Sequence, residues 1–225
     1  MLQDTVFSEG EGDAWFERNR QHFEQVEDPV VPFLLSQTID PHSILEIGSS
    51  RGDRLAQLHQ HYRTSVTAVD PAAAAVAEGQ KLFPVVQFLV ATASHLPLTD
   101  ESYDLVIANM VFHWIDRKSL LVSAGEIDRV LKPEGYLLIG DFAPFTPKKI
   151  PYHHCAEHEM YTYKQNYPEL FLATGGYAMV AQQILHHLWL KPEPAIPERE
   201  RVSLTLLRKV AGGIYVQPEP YSPLS

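Results

Sequence analysis

Residues 43–53 restrict the possible folds of this chain, because an apolar run there ends in an acidic residue and a turn of small residues. A helical pattern begins directly after the turn, at Arg54. This order of elements is typical of a buried strand that delivers the chain to a ligand. Gly48 and Gly52 lack a Cβ atom, so the backbone of the turn can lie close to a bound molecule.

The spacing of the small residues excludes two common nucleotide-binding motifs. A dinucleotide fingerprint requires G-x-G-x-x-G, but Ser50 and Asp53 occupy its second and third glycine positions. A phosphate-binding P-loop requires Gly-Lys-Ser/Thr at its end, which the turn lacks. Roughly 20 residues after the turn, a second apolar strand ends in Asp70, where doubly wound folds place an acceptor for ribose hydroxyls.

Strand and helix patterns alternate after Ser43 and predict a single α/β domain over residues 1–225, with a mostly parallel sheet and one reversed strand. The predicted strands are residues 44–47, 65–69, 85–90, 103–109 and 136–140, and the predicted helices are residues 53–62, 71–82 and 117–131. Apolar residues at helical spacing predict a further helix over residues 177–188. An antiparallel hairpin is predicted for residues 202–210 and 214–216, within a C-terminal segment of residues 200–217.

The charge balance argues against nucleic acid as the main partner. Of the 225 residues, 18 are Lys or Arg and 28 are Asp or Glu, so the formal net charge is −10. Binding to a phosphate backbone needs a clustered basic surface, and a small molecule fits this chain better. The single cysteine is compatible with a reducing compartment, and no apolar run approaches the roughly 20 residues of a membrane span. We therefore expect a cytoplasmic protein without a membrane partner.

Four segments, in order along the chain, carry a family resemblance. Residues 46–52 read E-x-G-x-S-x-G, and residues 93–104 are similar to the stretch D-A-x-x-L-P-F-x-D-x-S-F-D. Residues 107–115 resemble the fourth motif of the same family, and residues 129–139 resemble R-V-L-K-P-G-G. Over about residues 40–142 the chain resembles class I S-adenosylmethionine (SAM)-dependent methyltransferases of the small-molecule, type 11-like group.

This resemblance implies a Rossmann-like, doubly wound fold, with a mostly parallel seven-stranded sheet and an antiparallel C-terminal hairpin. It implies SAM as cofactor and S-adenosylhomocysteine (SAH) as product. In such a site Glu46 lies near the SAM ammonium group, Asp70 accepts the ribose hydroxyls, and Thr92 stands where the family often has an acidic residue for adenine. The implied cofactor-binding residues are Glu46, Gly48, Ser49, Ser50, Gly52, Asp70, Pro71, Thr92, Ala93, Asn109 and Met110.

Three side chains are candidates for catalysis: His113, Tyr152 and His154. His113 follows the fourth strand, where the resemblance places the methyl group, and an unperturbed histidine titrates near pH ~6.5. It is either the general base or a substrate ligand, or it only packs against a loop. Residues 154–158 match the zinc pattern H-x-x-E-H, but the rest of the chain does not resemble a metallohydrolase. We therefore predict no metal.

Residues outside the motifs are candidates for recognising the substrate. Residues 13–26 read as a helix with Asp13 as N-cap; this helix either packs on the sheet edge or, with residues 1–35, closes over the ligand as a lid. Residues 143–190 are expected to form a second lid. Their tyrosines and histidines suit a polar or cationic metabolite, since ring faces attract cations. The candidate substrate residues are Trp15, Phe16, Asn19, Trp114, His153, Tyr163, Lys164 and Tyr167.

Three functions fit these patterns. The first is transfer of the SAM methyl group to a nitrogen or oxygen atom of a small metabolite. The second is an intramolecular reaction that cyclises or cleaves SAM and releases methylthioadenosine, and the third is SAM binding without catalysis. The product formed from SAM distinguishes the first two. The sequence does not specify the acceptor or the oligomeric state.

Overall fold

The structure, a computed structural model, describes residues 3–20, 28–155, 158–188, 191–193 and 195–213. A seven-stranded sheet has the strand order β3-β2-β1-β4-β5-β9-β8. Its strands are β1 (Ser43–Ile47), β2 (Ser65–Asp70), β3 (Val86–Val90), β4 (Tyr103–Asn109), β5 (Leu131–Phe142), β8 (Tyr177–His186) and β9 (Arg201–Lys209). Strands β1 to β5 are parallel, and β9 runs antiparallel to both β5 and β8. The predicted fold class is confirmed.

Seven α-helices are described alongside the sheet, and a short hairpin lies outside it. The helices are α1 (Gln3–Val6), α2 (Gly12–Asn19), α3 (Val30–Leu35), α4 (Asp53–Tyr62), α5 (Ala73–Leu82), α6 (Leu120–Val130) and α7 (Pro168–Leu172). The hairpin pairs β6 (Lys148–Pro151) with β7 (Tyr161–Lys164). Over the described part of the chain, no helix is both long enough and apolar enough to cross a membrane.

The apolar residues of the central strands divide between two cores, one on each face of the sheet. In β1, Ile44 lies in the core that α3 and α4 cover, whereas Leu45 and Ile47 lie in the core beneath α6 and α7. Glu46 alternates with them and is buried on the face of Ile44. A strand that is covered on both faces reads as a nearly continuous apolar run, which is why β1 and β4 could be predicted from their sequences.

The helix predicted over residues 177–188 is wrong, because residues 177–186 form the edge strand β8. The register of β8 against β9 shifts between Met179 and Ala181, as at a β-bulge. An extra residue in a strand disturbs its two-residue alternation, so the apolar positions imitate a helical stripe. Val180 is 46% exposed and Leu185 1% exposed, although both belong to that stripe. Pairing with β9 decides the conformation.

The predicted C-terminal hairpin is also corrected. The partner of β9 is β8, from Tyr177 to His186, rather than residues 214–216, which lie outside the described residues. At the other end of the chain, α2 ends at Asn19, and residues 21–26 of the predicted helix lie outside the described part. Asp13 is not an N-cap. It lies inside α2, and its carboxylate accepts a hydrogen bond of 2.8 Å from the backbone N–H of Ala74.

Candidate functional site

A cavity of about 1350 Å³ opens beyond the carboxyl ends of β1, β2, β4 and β5. In open α/β sheets, ligands bind in the crevice at this edge. Pockets for small molecules typically measure about 300–1,000 Å³, so this cavity has room for a cofactor and a second molecule. The cofactor candidates that line it are Gly48, Ser49, Ser50, Asp70, Pro71, Thr92, Ala93, Asn109 and Met110.

The turn after β1 adopts a backbone that small residues permit. Gly48 has φ +69°, and a Cβ atom added there would lie 2.3 Å from Cγ2 of Val111. Ser50 has φ +50°, and Gly52 precedes α4 with φ +82°. The backbone N–H of Gly48 donates to the carbonyl of Val69, at 2.8 Å. The turn is therefore fixed against β2 while its small residues leave the cavity open.

Asp70, at the end of β2, accepts two backbone hydrogen bonds. The N–H of Ser50 donates to Oδ2 at 2.7 Å, and the N–H of Ala72 donates to Oδ1 at 2.8 Å. Burial raises the pKa of Asp70 to about 6, although these two bonds act in the opposite direction. Each carboxylate oxygen keeps a free lone pair. Asp70 can therefore accept hydroxyl groups from a ligand in the cavity.

Glu46 is buried behind the turn and is paired with Arg54, which also donates to Asp28 at 2.6 Å. Burial raises the pKa of Glu46 to about 7, against the opposite effect of the Arg54 guanidinium. Oε2 of Glu46 has no hydrogen-bond partner among the described residues. A buried acceptor without a partner costs free energy. A cationic group near the turn would supply the missing hydrogen-bond donor. Glu46 itself does not line the cavity, whereas Arg54 does.

Asn109 and Met110 lie where β4 ends at the cavity. The N–H of Met110, whose φ is +57°, donates to the carbonyl of Gly140 at 2.6 Å. A Cβ atom added at Gly140 would lie 2.1 Å from Oδ1 of Asn109. The glycine therefore makes room for the Asn109 amide at the cavity wall.

On the adenine side predicted from the sequence, Thr92 and Ala93 line the cavity beside Asp4 of helix α1. Oγ1 of Thr92 lies 3.1 Å from Oγ of Ser94, and the Ser94 hydroxyl donates to Asp4 at 2.6 Å. A carboxylate thus stands close to Thr92 even though position 92 is not acidic.

His113 and Asp141 form a buried pair at the wall of the cavity. Nδ1 of His113 lies 3.0 Å from Oδ1 of Asp141, and the backbone N–H of His113 donates to Oδ2 at 3.2 Å. An ionised carboxylate only accepts hydrogen bonds, so it holds the proton of the neutral imidazole on Nδ1. The carboxylate engages Nδ1 and leaves the other ring nitrogen, Nε2, outside the pair. The pair is therefore arranged to accept a proton at Nε2.

Tyr152 lines the cavity, but its hydroxyl is engaged elsewhere. It donates to Glu11 at 2.5 Å and accepts a hydrogen bond of 2.8 Å from Arg18, which is itself paired with Glu11. Burial, together with the Glu11 carboxylate, raises the pKa of Tyr152. The geometry therefore favours a structural contact with the N-terminal helices over the catalytic role predicted for Tyr152. Its ring packs edge-on against Trp114, with centroids 4.7 Å apart.

The substrate candidates divide into two groups. Trp15, Asn19, Trp114, His153 and Lys164 line the cavity, as does the catalytic candidate His154. Phe16, Tyr163 and Tyr167 are not among the lining residues.

Each of the three outside residues has another role. Phe16 is buried against Ala72 and Ala75, and Tyr167 is fully buried in a stack on Phe112. The ring of Tyr163 lies 4.3 Å from the Arg117 guanidinium. The placement predicted for these three residues is corrected: they support the fold around the cavity.

The zinc-like pattern of residues 154–158 includes Glu157, which lies outside the described residues. Elsewhere in the described chain, no group of three or more His, Cys, Asp or Glu side chains is placed to hold a metal ion.

Asp141, His187 and Asp4 are among the cavity residues that were missed in the sequence. Asp141 is an acidic residue at the end of a buried strand, the same signal that identified Asp70, but β5 was predicted to end at Gly140. His187 follows β8 and was hidden by the wrong helix; its ring lies 4.8 Å from that of Phe142. Asp4 is separated from Ser94 by 90 positions and has no local signal.

The fold and this cavity resemble those of class I SAM-dependent methyltransferases. Residues 45–139 match the family model described as a methyltransferase domain. This class uses SAM as its methyl donor, and the matched residues lie between the N-terminal helices of this chain and its strand pair β8 and β9.

Curated relatives match over part of their length. An uncharacterized methyltransferase of Schizosaccharomyces pombe is 36% identical over 97 residues, which cover 43% of this chain and 38% of that protein. The malonyl-[acyl-carrier protein] O-methyltransferase of Methylovorus sp. is 34% identical over 120 residues, which cover 49% of this chain and 40% of that protein. The chain thus spans about two fifths of the length of these relatives.

Solved structures agree over more of the chain. The 1,6-didemethyltoxoflavin-N1-methyltransferase of Burkholderia thailandensis, with 1,6-didemethyltoxoflavin and SAH bound, has a TM-score of 0.69 at 20% identity and covers 92% of this chain and 88% of its own. The N-methyltransferase NodS of Bradyrhizobium japonicum, in complex with SAH, has a TM-score of 0.58 at 16% identity and covers 86% of this chain and 87% of its own. At these identities the likeness concerns the fold.

The residues of the site fit SAM. Oε2 of Glu46 and Oγ of Ser50 are buried without partners in the described chain, and Ser50 lines the cavity. The turn of small residues leaves space that a Cβ atom at position 48 would fill. Asp70 supplies lone pairs for the ribose, and Glu46 supplies negative charge behind the turn.

Proposed function

We propose that this chain transfers the methyl group of SAM to a nitrogen or oxygen atom of a small metabolite. One observation carries the proposal: the cavity continues from the SAM-binding turn to the His113–Asp141 pair. A second substrate would occupy the space between them. An enzyme that cyclises or cleaves SAM alone does not need this space.

Bound SAM supplies an electrophilic methyl group on its sulfonium, so the leaving group needs no acid. His113 accepts the proton of the acceptor O–H or N–H at Nε2, while Asp141 holds the proton on Nδ1 and stabilises the imidazolium that forms. General base catalysis of this kind typically contributes about 10²–10⁴-fold. The rings of Trp114 and Tyr152 pack edge-on against each other and would shield this part of the cavity from water.

The acceptor would be polar and partly anionic rather than cationic. Lys164 lines the cavity with its Nζ 3.6 Å from the centroid of the Phe142 ring, and the carboxylates of Glu200 and Asp141 favour its charged form. Burial lowers the pKa of Lys164, so an anionic group nearby would stabilise its charged form. The faces of Tyr161 and Tyr163 are already covered by Lys149 and Arg117. They therefore lend no support to a cationic acceptor.

The first experiment incubates the purified protein with SAM alone and then with SAM plus pooled metabolites, and identifies adenosine-containing products by mass spectrometry. Methyl transfer gives SAH only when an acceptor is present, together with one metabolite heavier by a methylene group. Methylthioadenosine formed without an acceptor would instead establish cyclisation or cleavage of SAM.

The second experiment separates binding from catalysis. His113→Ala should abolish most acceptor-dependent SAH formation while the dissociation constant for SAH, measured by calorimetry, stays within about twofold of the wild type. His61→Ala is the matched control, because His61 is exposed on α4 and does not line the cavity. A protein that binds SAH but gives no SAH with any metabolite pool, and whose biological role survives His113→Ala, would be a SAM-binding protein without catalysis.

A further inference from the structure

Asp4 is held in a defined position by the residues around it, although it lies close to the N-terminus. The buried side chain of its neighbour Gln3 donates to the carbonyls of Trp114 and Tyr161, at 2.8 Å and 3.0 Å, and accepts from the N–H of Tyr161 at 2.8 Å. Val6, one turn further on, is buried beside Tyr152. Helix α1 is therefore fastened to β7 and to the loop after β4.

The Asp4 carboxylate forms part of the cavity wall and accepts two hydroxyl groups. The Ser94 hydroxyl donates to Oδ2 at 2.6 Å, and the Ser119 hydroxyl donates to Oδ1 at 3.0 Å. Each carboxylate oxygen has about two lone-pair sites. After these two bonds the carboxylate can still accept further hydrogen bonds from the cavity.

The same carboxylate fixes the direction of a short chain of hydrogen bonds. Because an ionised carboxylate only accepts, the proton of Ser94 is committed to Asp4. Ser94 can then serve only as the acceptor in its contact with Thr92, so the Thr92 hydroxyl donates to Ser94, across 3.1 Å. The proton of Thr92 is used in this bond, and its oxygen presents only lone pairs to the cavity. Asp4 and Thr92 together form a wall that accepts hydrogen bonds and donates none.

We propose that Asp4, from the N-terminal helix, and Thr92 recognise the exocyclic amino group of adenine and make the site select adenine over hypoxanthine. The inference rests on the proposed function, since the adenine is that of SAM. An amino group brings two N–H donors to a wall of acceptors. Hypoxanthine has a carbonyl oxygen in place of this amino group and would set lone pairs against lone pairs. The N-terminal segment would thereby complete the cofactor site.

The expected size of the preference for adenine over hypoxanthine follows from the charge on Asp4. A hydrogen bond to a charged group contributes about 1.5–3 kcal/mol, which corresponds to a change in affinity of about 10- to 150-fold. Sites built to bond one polar group also reject the analogue that lacks it. The wild-type protein should therefore bind SAH at least tenfold more tightly than S-inosylhomocysteine, in which hypoxanthine replaces adenine.

The test measures the dissociation constants of both ligands by calorimetry for the full chain and its variants. Asp4→Asn and Asp4→Ala should each remove most of the preference for SAH over S-inosylhomocysteine, and Asp4→Asn should lose less SAH affinity than Asp4→Ala. Ser94→Ala should reduce the preference partly, because Thr92 then regains a free proton. Glu9→Gln is the matched control, since Glu9 is an exposed acidic residue of the same N-terminal segment. It should change neither constant.

Two results would overturn the inference. If both Asp4 variants keep the wild-type ratio of the two dissociation constants, or lose affinity for both ligands equally, Asp4 supports the cavity wall but does not recognise the adenine amino group. Thermal unfolding of each variant shows whether a loss of affinity reflects a loss of fold. If the wild-type protein binds neither ligand, the proposed function fails and this inference fails with it. Normal SAH binding combined with an unchanged ratio rejects only the role of Asp4.

Discussion

Nδ1 of His113 lies 3.0 Å from Oδ1 of Asp141, and both side chains are almost fully buried at the wall of the cavity. Asp141 also accepts hydrogen bonds from the backbone N–H groups of His113 and Phe142. The carboxylate is therefore immobilised by the strand that carries it and by the loop that carries the histidine. Such a pair fixes both the orientation and the tautomer of the imidazole.

Removing the charge of Asp141 should slow catalysis without weakening cofactor binding. Asp141→Asn keeps the shape of the side chain, but the amide cannot stabilise the imidazolium that forms when His113 accepts a proton. We expect kcat to fall by about 10²-fold or more, with the dissociation constant for SAH within about twofold of the wild type. Steady-state kinetics with the identified acceptor and calorimetry with SAH check both values. A variant with wild-type kcat would show that Asp141 has only a structural role.

The cofactor end of the site could be predicted from the sequence because its signals are local. Acidic or polar residues at the ends of apolar strands, such as Glu46, Asp70 and Asn109, meet at one edge of a parallel sheet whatever the details of packing. Asp141 carries the same signal, but β5 runs two residues beyond its predicted end, Gly140.

The acceptor end could not be predicted, because its geometry depends on long-range pairing. His187 reaches the cavity only because residues 177–186 pair with β9 as a bulged strand. Asp4 meets Ser94 across 90 positions of sequence. Neither the alternation of apolar residues nor the spacing of motifs contains this information. The aromatic residues Phe16 and Tyr167 were placed in the cavity for the same reason: sequence spacing does not show which face of an element meets the ligand.

The affinity for SAH should rise with pH between about 5 and 7.5. Burial raises the pKa of Asp70 to about 6 and that of Glu46 to about 7, so both carboxyls gain protons below neutral pH. Only the ionised carboxylate of Asp70 accepts hydrogen bonds at full strength from the ribose of SAH, and only the ionised carboxylate of Glu46 attracts its ammonium group. At one pH unit below the pKa of Asp70, protonation of this residue alone should weaken SAH binding by about tenfold.

Calorimetry from pH 5 to 8 checks this profile, with Asp70→Asn as the variant and Glu193→Gln, an exposed acidic residue, as the control. Asp70→Asn should bind SAH more weakly and with a flatter profile. The stability of the ligand-free protein should change with pH in the opposite direction to the affinity for SAH. A folded-state pKa above the unfolded value stabilises the fold below about pH 4, and this contribution is lost as pH rises through 6. Equal slopes for Asp70→Asn and the wild type would contradict the assignment.

Removal of the Tyr152 hydroxyl should leave catalysis largely intact. Its proton is donated to Glu11 and its pKa is raised, so it does not serve as a base near neutral pH. Tyr152→Phe should keep kcat within about fivefold and lower the free energy of unfolding by about 0.5–1.5 kcal/mol, the usual net contribution of a hydrogen bond. Kinetics and urea denaturation measure the two effects. A loss of kcat as large as that of His113→Ala would restore the catalytic role predicted from the sequence.

Gly48 and Val111 should be energetically coupled, because a Cβ atom at position 48 would lie 2.3 Å from Cγ2 of Val111. Gly48→Ala also requires φ near +69°, which costs roughly 1–2 kcal/mol for a residue with a Cβ atom. The variant should therefore lose thermal stability and bind SAH at least tenfold more weakly. Adding Val111→Ala removes the contact but leaves the backbone strain, so it should restore part of the loss.

The control for this series is Gly125→Ala, since a Cβ atom at Gly125, inside α6, meets no atom within 4 Å. Alanine in a helix interior is favoured over glycine by about 0.5–1 kcal/mol, so this variant should be more stable and bind SAH normally. A double-mutant cycle from thermal unfolding and SAH titration gives the coupling energy between positions 48 and 111. If Val111→Ala does not restore stability or SAH affinity in the Gly48→Ala background, backbone strain at φ +69° alone explains why position 48 needs glycine. The close approach of positions 48 and 111 then does not affect SAH binding.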